Sequence, residues 1–184
     1  MTPAEFMATV AQPNMQTALE RPYDLCAIVN AVLTVDALPG FIHAAGMMAG
    51  DPAMAAHKAD DDFRAVLARV SPSYRVLRDL AAALKHGDLD RKRKRPRLVR
   101  SGGAARQVQN ACGLLQCGDG IGGSVVVIEL DPGPGHVRAS RIIADSFRML
   151  RRVVDGEPAS TDDGDHGTFA IMGGDAFLAT LPPP

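Results

Sequence analysis

Arg78, Asp79 and His86 are the residues in this chain whose types and spacing come nearest to a reaction centre. An imidazole titrates near neutral pH and can move a proton, and a guanidinium offers a planar fork of donors that matches a phosphate. Just downstream, Arg91, Lys92, Arg93, Lys94, Arg95 and Arg97 form a basic run interrupted only by Pro96. A cluster of that density suits RNA, DNA or an acidic protein, and on a phosphate backbone it binds by releasing condensed counterions, so its affinity falls steeply with salt. No aromatic residue is interleaved, which argues against base stacking on the run itself. Both features also have plainer explanations. Lys85 and His86 would be cations at a helix C-terminus, where the dipole favours them, and a basic run is often just a solvated loop.

The element that must position the first set is residues 71–87, SPSYRVLRDLAAALKHG. Ser71 is a favoured N-cap residue, Pro72 suits the first helical position, and Gly87 stands just past the last periodic residue. Tyr74, Leu77, Leu80, Ala81 and Leu84 recur at three- and four-residue steps, so that side faces a core. Arg75, Asp79, Ala82 and His86 line a neighbouring stripe, on which Arg75 and Asp79 are spaced to pair. Eight positions separate Arg78 from His86, which puts their side chains about 80° apart around the helix. Asp79 and His86, seven apart, align better.

The stretch RDLAAALKH resembles the Arg-polar…His signature of HEPN-type helical domains, many of which are ribonucleases of toxin and defence systems. The resemblance implies that Arg78 steadies a phosphate, that Asp79 is the polar residue following it, and that His86 is the acid/base group. Seven residues lie between Arg78 and His86, a wider spacing than the family pattern, and the likeness covers this helix and its predecessor alone.

Other candidate chemistry is thinner. Gly118, Gly120 and Gly123 satisfy a G-x-G-x-x-G pattern, but a strand follows where a dinucleotide site needs a helix, and the downstream motifs of a kinase are missing. The five histidines are dispersed, and Cys112 and Cys117 have no second pair to complete a zinc site. Asp36 and His43 would share a helical face, except that Pro39 between them disturbs the register. The acidic cluster Asp162, Asp163, Asp165 and His166 lacks the spacing of a calcium loop, and there is no nucleophile elbow. No metal and no cofactor is expected.

At 184 residues the chain suits one domain with an appendage, and 46% hydrophobic with 22% charged residues is ordinary for a globular protein. A net charge of −1 argues against a wholly electrostatic partner surface. The odd cysteine count suits reduced thiols in a cytoplasm. The N-terminus has no basic region of a secretory signal, and the apolar run at residues 25–35 is too short to cross a bilayer, so no membrane association is expected.

In chain order, Thr2 caps a first helix that Pro13 should end or kink, and Asp24 caps an apolar central helix that Pro39-Gly40 should break or kink. Asp60, Asp61 and Asp62 precede a helix over residues 63–70, and residues 71–87 form the next. Residues 97–100 are placed to begin a strand, residues 124–130 (SVVVIEL) are the clearest strand, and residues 136–139 return as its antiparallel partner. Ser140 caps a last helix with a stripe of Ile142, Ile143, Phe147, Leu150, Val153 and Val154.

The expected architecture is therefore mainly α: a helical domain over residues 1–156, a small antiparallel β-hairpin within about 97–139 before the last helix, and an irregular C-terminal tail over 157–184. The expected function is a cytoplasmic HEPN-like domain that binds or cleaves RNA, acting as a homo-oligomer. The alternative is a non-enzymatic interaction or structural protein of a phage or bacterial assembly, with the Pro/Gly-rich tail draped over a partner.

Overall fold

Thr2 opens the first helix with a reciprocal cap: its hydroxyl accepts the Glu5 N–H, and the Glu5 carboxylate accepts the Thr2 N–H. The computed structural model describes residues 1–89, 97–109, 119, 122–131, 133 and 135–159. Pro13 does not end this first rod. The chain runs through α1 (Pro3–Phe6), a π-helical turn (Met7–Ala11) and α2 (Gln12–Glu20) without leaving helical conformation. The π turn is the physical reason. The Gln12 N–H reaches back five residues to the Met7 carbonyl, which shifts the hydrogen-bond register just before the proline, and Asn14 Nδ2 serves the Val10 carbonyl at 3.0 Å.

The central helix α3 (Leu25–Ala49) also runs unbroken past its proline. Pro39 withholds an N–H and crowds the preceding turn. The Arg64 guanidinium, arriving from a later helix, donates to the Asp36 carbonyl and to Asp36 Oδ1 at 3.0 Å, so an acceptor in that turn is satisfied from outside. Gly40 makes the approach possible, because a Cβ there would stand 3.3 Å from Arg64 Nη2. With 25 residues in one piece, α3 is long and apolar enough to cross a membrane, contrary to the short run expected. Half of its most apolar stretch is buried within the fold, and it packs on α1, α2, α5, α6 and α7.

After the short α4 (Pro52–Ala55), α5 (Asp60–Val70) takes all three aspartates into its first turn, three residues earlier than expected. Then α6 (Pro72–His86) has the boundaries that its sequence predicts. Ser71 Oγ accepts the Tyr74 N–H at 3.1 Å, and Gly87 adopts φ of 73° beyond the last residue. Tyr74, Leu77, Leu80 and Ala81 are fully buried, as the stripe requires, while Leu84 is half-buried.

The expected antiparallel hairpin is present as β2 (Ser124–Glu129) and β3 (His136–Arg138), and β1 (Ala105–Gln109) adds a third antiparallel strand on the other side of β2. One expectation for the β region is corrected. Residues 97–100 are not a strand. Leu98 and Val99 are buried in irregular backbone, with Asp131 N–H donating to the Leu98 carbonyl at 2.8 Å. Val125, Val126, Val127 and Ile128 are buried in succession, so both faces of β2 are covered. Where β3 turns away into the last helix, the Pro22 carbonyl accepts the Val126 N–H at 2.7 Å and finishes that edge.

The last helix, α7 (Ala139–Val154), begins one residue before Ser140, with Arg138 in the cap position and no side-chain cap. Ile142, Ile143, Phe147 and Leu150 are buried against α3 and α6. Each such side chain contributes about 1.5–3 kcal/mol, more than an exposed ion pair at about 0–1 kcal/mol, so apolar packing dominates the bundle. The fold is mainly α with one small antiparallel sheet. The proposed tail beyond Ala159 lies outside the described residues.

Candidate functional site

Arg78 and Asp79 are neighbours on α6 that turn to different elements. The Arg78 guanidinium is buried and reaches the N-terminus of α5, where Nη2 meets the Asp61 carboxylate and lies 3.4 Å from the Asp61 carbonyl. Asp79 is completely buried. Its Oδ2 accepts the Leu98 N–H at 2.8 Å and its Oδ1 stands 3.5 Å from Arg97 Nη1. His86 is exposed as the last residue of α6, about 12 Å further along the axis than Arg78 at 1.5 Å per residue. Within the chain these three side chains do not converge. The structure instead joins Asp79 to Arg97, a member of the basic run. Arg91, Lys92, Arg93, Lys94 and Arg95 lie outside the described residues.

The densest polar cluster sits where α3, α5 and α6 meet. Asp36 is buried in the middle of apolar α3, accepting from Arg64 Nη1 at 3.0 Å and from Lys85 Nζ at 2.8 Å. Arg64 Nε also binds Asp60 Oδ2 at 3.0 Å. Burial works against the Arg64 charge, but the Asp36 carboxylate, helped by Asp60, outweighs it and raises the guanidinium above its ordinary range. Tyr74 completes the cluster. Burial first, and the Asp36 charge second, push its phenol well above the ordinary tyrosine range, against the pull of Arg64 and Arg78. Its hydroxyl makes no hydrogen bond of normal geometry, although Arg64 is close enough to act on it electrostatically. Three carboxylates (Asp36, Asp60, Asp61) thus face three cations (Arg64, Arg78, Lys85), which is the charge balance of a structural network.

Sequence reasoning missed Asp36, Arg64, Tyr74 and Lys85 as a set. One signal was present, a lone carboxylate inside an apolar helix, since a buried charge needs a partner. The partners themselves are 28 and 49 residues away.

No metal centre is assembled: among the described residues, no three His, Cys, Asp or Glu side chains are grouped to hold an ion. His43 Nε2 instead lies 3.1 Å from the His57 carbonyl, a structural contact. Cys26 is free and exposed, while Cys112, Cys117, Gly118 and Gly120 lie outside the described residues.

Comparison with protein-family models, curated proteins and solved structures finds no match to this chain. Its function must therefore be argued from its own geometry.

Proposed function

We propose that this chain is a HEPN-like helical domain that binds RNA through the basic segment at residues 91–95 and does not cut it. One observation carries the reading. The Leu89 N–H donates to the Arg100 carbonyl at 2.7 Å, so these two residues, which flank the basic segment in the sequence, are held together just beyond the C-terminus of α6. Five consecutive cations lie between those two residues in the sequence, and His86 stands exposed as the last residue of α6. Cations concentrated at one point suit a phosphate backbone, although the whole chain is nearly neutral. The inward partners of Arg78 and Asp79 favour binding over cleavage, because a transition-state cation must be aimed at substrate.

The test is fluorescence polarisation of a labelled single-stranded RNA dodecamer across a potassium chloride series. Five phosphate contacts predict a slope of log K against log salt of about −3.5. Replacing residues 91–95 with glutamine should remove most of the affinity and most of that slope. Unchanged binding in this variant, or no binding by the wild type, overturns the reading and leaves a non-nucleic-acid interaction protein. Metal-free cleavage by the wild type that His86→Ala abolishes would replace binding with catalysis.

A further inference from the structure

A groove of about 700 Å³, with polar and apolar surface in nearly equal share, opens beside Arg100. Its walls are the turn Gly102–Ala104, the start of β1, the end of β2 and the turn into β3. Small residues keep it open. Gly133, on its wall, has φ of 135°, where an added side chain is strained. The volume is that of a small-ligand site.

Two ion pairs line it. Arg100 Nε meets Asp131 Oδ2 at 2.9 Å, and Arg106 Nε meets Glu129 Oε1 at 2.6 Å. Both are substantially exposed, the second pair 57% and 48%. Pairs this exposed add little to stability, so each partner can be redirected to a ligand at small cost. A guanidinium carries five N–H donors, and one carboxylate leaves part of that fork able to face a phosphate. A carboxylate beside it accepts from amino groups. The groove therefore offers phosphate donors and amine acceptors side by side, with the His136 imidazole also on its wall. A nucleotide whose base carries an exocyclic amino group has both complements; a uridine nucleotide lacks the second.

We propose that this groove takes one nucleotide of a bound RNA, with Arg100 and Arg106 on the phosphate and Glu129 on the amino group of cytosine, adenine or guanine. The inference rests on the RNA-binding reading above, and Arg100 links the two sites: its carbonyl closes the basic segment and its side chain lines the groove.

The experiment compares oligo(C) with oligo(U) dodecamers on wild type, Glu129→Ala and Arg106→Ala, with unfolding midpoints confirming that each variant is folded. Wild type should prefer oligo(C) about tenfold, by one carboxylate–amine contact. Glu129→Ala should lose that preference, whereas Arg106→Ala should weaken both oligomers alike. Amide signals of Gly133, His136 and Arg106 should shift with cytidine 5′-monophosphate. If RNA binds but Glu129→Ala keeps the preference and Arg106→Ala keeps the affinity, the groove assignment is overturned and RNA binding by the basic segment stands. If inorganic phosphate reproduces the shifts and affinity of the mononucleotide, the base-reading role of Glu129 is overturned. If no RNA binds yet the mononucleotide titrates the groove, the groove stands as a nucleotide site and the RNA reading fails.

Discussion

Replacing Asp79 with alanine tests whether this residue belongs to the fold or to a reaction. In the structure its buried carboxylate accepts the Leu98 N–H at 2.8 Å and faces Arg97 at 3.5 Å, which fastens residues 97–98 to α6. A hydrogen bond to a charged group contributes about 1.5–3 kcal/mol, and removing it strands a buried amide. Losing the carboxylate beside a mostly buried guanidinium adds to this, so Asp79→Ala should cost about 3 kcal/mol. With a urea m-value of about 2 kcal/mol per molar, the unfolding midpoint should fall by about 1.5 M with m unchanged. Asp79→Asn keeps an acceptor oxygen of the same reach and should lose about half as much. Circular dichroism during urea titration measures both, and hydrogen exchange should show the Leu98 amide deprotected in the alanine variant before global unfolding. A midpoint shift worth less than about 0.5 kcal/mol for Asp79→Ala, the range of an ordinary surface change, would refute the structural role. It would return Asp79 to the place that the HEPN resemblance implies.

The buried network around Asp36 makes two further predictions. Asp36→Leu should destabilise by about 3 kcal/mol because Arg64 stays buried, whereas adding Arg64→Met should recover most of the loss, as apolar replacement of a whole buried pair often does. Urea unfolding of the single and double variants decides this, and equal stability of the two would count against it. Tyr74 has a raised folded-state pKa, so its contribution is full below the ordinary phenol range and is lost as the pH rises through the raised value. Above about pH 10 stability should decline as the unfolded phenol ionises. Absorbance at 295 nm with parallel circular dichroism should place half of the tyrosinate signal of the two tyrosines in the unfolding step. Both phenols ionising with the helices intact would contradict the burial.

The boundaries of α6 were legible because capping and helical periodicity are properties of a few adjacent residues. Ser71, Pro72 and Gly87 mark its ends, and the apolar stripe marks its buried side, whatever the rest of the chain does. The strand at residues 124–129 was legible for the same reason, being a short β-branched run between turns. Prolines 13 and 39 do not end their helices: a π turn precedes the first, and Arg64 donates to the Asp36 carbonyl in the turn before the second, contacts that no local pattern announces. The polar stripe of α6 was visible, but its surroundings were not. Asp79 reads as a surface residue until residues 97–98 cover it, and Arg78 reads as a phosphate cation until its guanidinium is buried with Nη2 on Asp61 at the N-terminus of α5.

By itself, then, the sequence determined the main helices and the hairpin of β2 and β3, where α6 starts and stops, and where positive charge is concentrated, but neither β1 nor the irregular backbone of residues 97–100. Tertiary structure alone decided which charged groups are spent inside. Asp36 meets Arg64 and Lys85 across 28 and 49 residues, and only the packing of α3, α5 and α6 removes Asp36 and most of Arg64 from water, while Lys85 reaches in from the surface. That desolvation separates a structural ion pair from a group able to meet a ligand. It directs attention away from Arg78 and Asp79 and toward the basic run of the sequence and the groove lined by Arg100 and Arg106.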